Sequence, residues 1–155
     1  MDHLKPFAMK PILLLLLTCI FVVSCSPEDQ LVTYLDATVD GKTHLFNTFH
    51  TNTETQTENN YTFTDVTVTA SIERSPDRLI AFVAEQYLTG EDACWYFSYI
   101  LDGVSYEKFD DSFVVNIDIS SSYRIRGTFS GQLKSPETGQ TVRISGGDFD
   151  VYFFN

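Results

Sequence analysis

The feature that most constrains this chain is the alternation of apolar and polar residues from Gln30 to its end. No window longer than about ten residues keeps a helical period, whereas successive side chains of a strand point to opposite faces. The alternation therefore predicts an all-β fold. The number and spacing of the segments favour an antiparallel β-sandwich of about eight or nine strands, with a small open β-barrel as the alternative.

Turn residues divide the alternating segments. Asp40-Gly41 and Asp102-Gly103 predict type I′ hairpin turns, and Leu45 is expected to return on the core face after the first of them. Asn47 to Asn60 is almost entirely polar, which indicates a solvated loop or an exposed edge strand. Trp95 to Leu101 predicts a strand with Trp95 on the core side and its neighbour on the outer side.

The last two segments predict a long hairpin with an irregularity. The apolar face changes parity across Gly146-Gly147, and one extra residue there, a β-bulge, would restore the alternation. The resulting register places Arg126 opposite Asp148 and Arg124 opposite Asp150 on the outer face. Such cross-strand charge pairs stabilise a sheet.

The N-terminal residues predict export and lipidation. The apolar run of residues 12–23 follows Lys10 and is too short to span a bilayer, as in a signal peptide that starts at Met1 or Met9. Val22-Val23-Ser24-Cys25 resembles the bacterial lipobox, in which the cysteine sulfur accepts a diacylglycerol; the alternative is an unmodified Cys25. We therefore expect a signal peptide at 1–24, a lipidated Cys25 with an acidic tether at 25–30, and one β-domain at 31–155.

Lipidation fixes the expected location. Two or three acyl chains on Cys25 would anchor the protein stably to a membrane, here the outer membrane. Ser26-Pro27-Glu28-Asp29 resembles the acidic export signal that sends lipoproteins of Bacteroidota to the cell surface, although the same residues would also make a solvated tether.

Charge and cysteine content exclude several classes of function. Without residues 1–24 the chain keeps 20 acidic and 8 basic side chains, a net charge of −12, which disfavours nucleic acid as a partner. Cys94 is then the only cysteine of the β-domain, so no intramolecular disulfide can form. Its aromatic surroundings indicate a small buried hydrophobic residue.

The ends of the β-domain resemble a family. Arg126-Gly-Thr-Phe-Ser-Gly131, Thr141-Val-Arg-Ile144 and Gly147-Asp-Phe-Asp-Val151 look like the end of an uncharacterised β-rich domain of Bacteroidota lipoproteins, and Leu35 to Lys42 is similar to its opening strand. The resemblance implies an envelope β-domain of unknown function and brings no catalytic residues.

Signatures of enzymes are missing from the sequence, so we expect no catalytic residues, no metal site and no cofactor. His44 and His50 lack further ligands for zinc, and the acidic clusters lack the spacing of a calcium loop. Tyr96, Tyr152 and Phe154 have the parity opposite to the core residues of their strands, so their rings are expected on the outer face, where they suggest a ligand surface. We expect a binding or accessory module with an unidentified protein or glycan partner; the alternative is a structural lipoprotein docked on a larger outer-membrane complex.

Overall fold

The computed structural model describes residues 31–154, which contain ten β-strands and one short 3₁₀ helix, Glu91–Ala93. The predicted signal peptide, Cys25 and the tether lie outside the described residues. The strands are β1 (Tyr34–Val39), β2 (Lys42–Phe46), β3 (Thr48–Glu58), β4 (Tyr61–Ser71), β5 (Arg78–Glu85), β6 (Cys94–Leu101), β7 (Val104–Glu107), β8 (Val114–Ser120), β9 (Arg124–Lys134) and β10 (Thr141–Tyr152).

The strands form one antiparallel sheet in the order β2-β1-β10-β9-β7-β6-β5-β4-β3, with β8 paired to β9. The all-β prediction is confirmed, with ten strands where eight or nine were expected. The sheet is open and curled into a half-barrel, which corresponds to the open-barrel alternative.

The curl follows from the connection between β2 and β3. These strands lie at opposite ends of the sheet order, yet only Asn47 separates them in the chain. The sheet must therefore curl until its two edges approach each other at Asn47. The Asn47 backbone N–H donates to the Ser71 carbonyl at 3.1 Å, and its side-chain oxygen accepts from the Glu73 N–H at 2.9 Å. Of the two interpretations of residues 47–60, the exposed edge strand is confirmed as β3.

Large aromatic side chains fill the concave face of the sheet. The ring centroid of Phe97 lies 4.6 Å from that of Phe113 and 5.0 Å from that of Phe129, and Phe82 lies 4.8 Å from Phe149. These contacts join strands from both halves of the curl. Each buried aromatic ring removes a large apolar area from water and so contributes strongly to the stability of the core.

Both Asp-Gly turns have the predicted geometry, but the inward prediction for Leu45 is wrong. Asp40 and Gly41 both have positive φ, 47° and 80°, as a type I′ turn requires. A two-residue turn pairs odd with even positions, so Leu35 lies opposite Phe46. Phe46 is therefore buried, and Leu45 is 61% exposed.

The bulge predicted in the last hairpin is confirmed, while its register differs by two residues. The pairing shifts between Ile144 and Gly147. Gly147 lies opposite Phe129 and Gly127 opposite Phe149, so each glycine leaves space for a ring that a Cβ would contact. This small-to-large complementarity decides the register, and parity alone does not reveal it.

Candidate functional site

Outward-facing side chains of β3 to β6 surround a cleft of about 380 Å³. The even-numbered residues Val66, Val68 and Ala70 of β4 are buried in the core, so the odd-numbered side chains Tyr61, Phe63 and Asp65 point to the opposite face. Glu85 lies directly opposite Asp65 on β5. We call this site the Trp95 cleft; its lining residues are Gln56, Glu58, Tyr61, Phe63, Asp65, Glu85 and Trp95.

A β-bulge brings Trp95 into the cleft. Val83 pairs with Tyr96, but Ala84 pairs with Cys94, so Trp95 is the extra residue of β6. The core-side prediction for Trp95 is therefore wrong, because the bulge removes it from the alternation. Its side chain is 63% exposed.

Hydrogen bonds to Asp65 hold the Trp95 ring in place. The indole Nε1–H donates to Asp65 Oδ1 at 3.1 Å, and the Gln56 amide donates to Oδ2 at 3.2 Å. Asp65 is only 4% exposed, and both of its carboxylate oxygens have a partner. The carboxylate therefore fixes the orientation of the indole before any ligand binds.

Tyr61 is held in the same way at the other side of the cleft. Its hydroxyl donates to Glu85 Oε1 at 2.6 Å, and its ring stacks on Phe63 with centroids 5.8 Å apart. The hydrogen bond to Glu85 and the charge of that carboxylate raise the pKa of the Tyr61 phenol. Tyr61 stays protonated at neutral pH, and its side chain is 59% exposed.

The cleft is strongly acidic. Three of its seven lining side chains, Glu58, Asp65 and Glu85, carry carboxyl groups, and none is basic. Aromatic faces carry the negative side of the ring quadrupole, so they add to the same sign of potential.

A second cavity, of about 550 Å³, shares Trp95 with the cleft and is lined by Tyr96 and Cys94. Burial raises the pKa of the Cys94 thiol to about 12, and its sulfur donates to the Tyr96 carbonyl oxygen at 3.3 Å. A thiol with this pKa is almost entirely protonated at neutral pH and is a poor nucleophile.

The three residues predicted as a ligand surface lie in different places. Tyr96 is 40% exposed, with its ring centroid 6.4 Å from that of Trp95. Tyr152 stacks on Tyr123, and Phe154 is exposed beside the middle of β3. Among residues 31–154 no ring contact joins Tyr96 to Tyr152 or Phe154. Tyr61 was not among the residues predicted from the sequence, although its position on the face opposite to Val66 was a usable signal.

The acidic residues of the last strand have protein partners. Arg124 binds Asp150 through two hydrogen bonds of 2.8 and 2.7 Å, and its guanidinium lies 5.2 Å from the Tyr152 ring centroid. In the backbone pairing of β9 with β10, however, the residue directly opposite Asp150 is Arg126. The pairing of Arg126 with Asp148 is not formed in the described chain, because Asp148 lies opposite Thr128 and accepts a hydrogen bond from Tyr34.

Neither a group of metal-binding side chains nor a membrane-spanning helix is found in the described part of the chain. Within residues 31–154 no three His, Cys, Asp or Glu side chains are grouped as a metal site would require. The same residues contain no helix that is long and apolar enough to cross a membrane.

No family model, curated protein or solved structure matches the chain.

Proposed function

We propose that this chain is a lipid-anchored binding module of the bacterial outer membrane and that the Trp95 cleft is its binding site. The observation that carries the proposal is the exposure of the Tyr61 and Trp95 rings in a concave site. Apolar faces in water are a source of binding free energy when a ligand covers them. Hydrogen bonds to carboxylates hold both rings in place, so little conformational entropy is lost on binding.

The shape of the site favours a ligand over the structural alternative. A flat apolar patch of several hundred Å² would suit docking onto a larger complex. The exposed aromatic rings instead line a cleft in which polar groups alternate with apolar faces, as in most ligand sites.

Binding can be measured by tryptophan fluorescence with the full-length protein in detergent. Trp95 is the only tryptophan of the chain, so the signal comes from the cleft. Its fluorescence would be followed during titration with oligosaccharides of glucose, mannose and N-acetylglucosamine, with spermidine and with an end-capped trilysine. We expect a saturable change with at least one of these probes. Tyr61→Ala should weaken it, whereas Tyr87→Ala, which alters a similarly exposed tyrosine outside the cleft, should not. If no probe gives a saturable change, the proposal is wrong.

Anchoring rests on the lipobox and is tested separately. Cys25→Ala should release the protein from washed membranes into the soluble fraction, because the thioether to diacylglycerol cannot form. Cys94→Ala is the matched control and should stay with the membranes. Retention of the Cys25→Ala variant would contradict lipid anchoring.

A further inference from the structure

We infer that the Trp95 cleft binds an organic cation, an ammonium or guanidinium group, rather than a neutral ligand. The inference rests on the proposed function and adds the chemical class of the ligand. It follows from the charges of the cleft, from the hydrogen-bonding groups that remain free in it, and from a cation site that the same chain builds elsewhere.

Within residues 31–154, the carboxylates of the cleft have no basic partner. Asp65 is 4% exposed and accepts only from two neutral donors, the Trp95 indole and the Gln56 amide. Glu85 accepts from a neutral phenol. A carboxylate removed from water without an opposite charge is unfavourable, so a cation entering the cleft gains attraction that a neutral ligand does not.

The aromatic walls favour the same sign of charge. Cations are attracted to the face of an aromatic ring when they lie within about 6 Å of its centroid, and tryptophan is the most effective ring. Trp95 and Tyr61 present exposed faces beside the carboxylates. An ammonium group in the cleft would therefore be attracted by the rings and by the carboxylates alike.

The last hairpin shows this combination with its cation in place. There the Arg124 guanidinium lies 5.2 Å from the Tyr152 ring centroid and 2.7 Å from Asp150. The Trp95 cleft repeats the ring and the carboxylate, but none of the described residues that line it supplies the cation. In the cleft, the ligand would therefore supply the positive charge that Arg124 supplies in the hairpin.

Neutral sugars are poorly matched by the remaining hydrogen-bonding groups. Sugar hydroxyls need both donors and acceptors from a protein. The side-chain donor groups of the cleft, on Trp95, Gln56 and Tyr61, each donate one hydrogen bond to its own carboxylates, which leaves the second N–H of the Gln56 amide as their remaining donor. Most of the remaining side-chain capacity is that of carboxylate acceptors, which suit the N–H groups of a cation.

The test uses end-capped trilysine and, as its neutral counterpart, the same peptide with acetylated side chains, each titrated against the full-length protein. We expect trilysine to change the Trp95 fluorescence saturably and the acetylated peptide to have no effect. Raising the salt concentration should weaken binding. Spermidine is the parallel probe, and it distinguishes a free polyamine from a peptide side chain as the source of the cation.

Charge-matched variants separate a specific site from general attraction to an acidic protein. Glu85→Gln keeps the acceptor for Tyr61 and removes one charge, so it should weaken trilysine binding about tenfold. Glu137→Gln removes the same charge from an exposed loop and should change the affinity less than twofold, by about 0.4 kcal/mol or less. Equal effects of the two variants would overturn the inference.

The remaining outcomes distinguish this inference from the proposed function. If a neutral oligosaccharide binds with the dependence on Tyr61 described above and trilysine does not, the cleft is a binding site but the assignment of a cation is wrong. If neither kind of probe binds, both are wrong.

Discussion

A methyl group added at Gly147 would probe the packing of the last hairpin. The Cβ of Gly147→Ala would lie far inside van der Waals contact with three ring atoms of Phe129. That ring is 2% exposed, with the Phe97 and Phe149 centroids 5.0 and 6.2 Å away, so the neighbouring rings restrict its movement. Overpacking typically costs about 1–3 kcal/mol, and we expect a loss of about 3 kcal/mol in the free energy of unfolding.

Gly146→Ala is the control for this change, since it adds the same group one residue earlier, where nothing lies within 4 Å of the new Cβ. It should leave the stability unchanged or raise it by less than about 1 kcal/mol, because alanine restricts the unfolded chain. Urea unfolding of the full-length protein, followed by fluorescence, gives both values. Phe129→Leu should reduce the cost of Gly147→Ala in a double-mutant cycle. Equal effects of the two glycine variants would refute the register.

Two further predictions concern the ion pair and the thiol. Arg124→Met should destabilise the protein by about 2 kcal/mol, because it leaves the buried Asp150 carboxylate unpaired, whereas Arg126→Met should cost less than about 0.5 kcal/mol in the same urea assay. Cys94 should react with iodoacetamide at pH 8 at least about 100-fold more slowly in the native protein than in urea, as measured by peptide mapping. Because burial raises the pKa of this thiol from 9.0 to about 12, its contribution to stability is complete below pH 9 and is lost as the pH rises toward 12. A wild-type protein that is no more alkali-sensitive than Cys94→Ala would contradict this.

Local patterns were sufficient to predict much of the fold. The alternation identifies the core residues of β4, and Asp40-Gly41 identifies a hairpin turn, because both depend on residues close together in the chain. The bulge at Gly146-Gly147 was equally visible as a change of parity. The register of that hairpin was not, since it depends on which ring each glycine accommodates across the strands.

The candidate site was harder to predict because its residues are distant in sequence. Asp65 and Trp95 are thirty residues apart and meet only across β5. The bulge that turns Trp95 outward has no local sign in the sequence, since neither glycine nor proline marks it. Tyr61 and Phe63 could have been recognised as outward-facing from the core parity of Val66, but their partners could not.

The most direct test of the Trp95 cleft as a binding site is the NMR signal of its indole N–H, the only one of its kind in the chain. That N–H donates a hydrogen bond to Asp65, so a ligand in the cleft must change the environment of the indole proton. On addition of end-capped trilysine, we predict a saturable shift of this signal together with the backbone amides of Tyr61 and Glu85. Shifts confined to other parts of the protein, or no shift with any of the probes, would contradict the account.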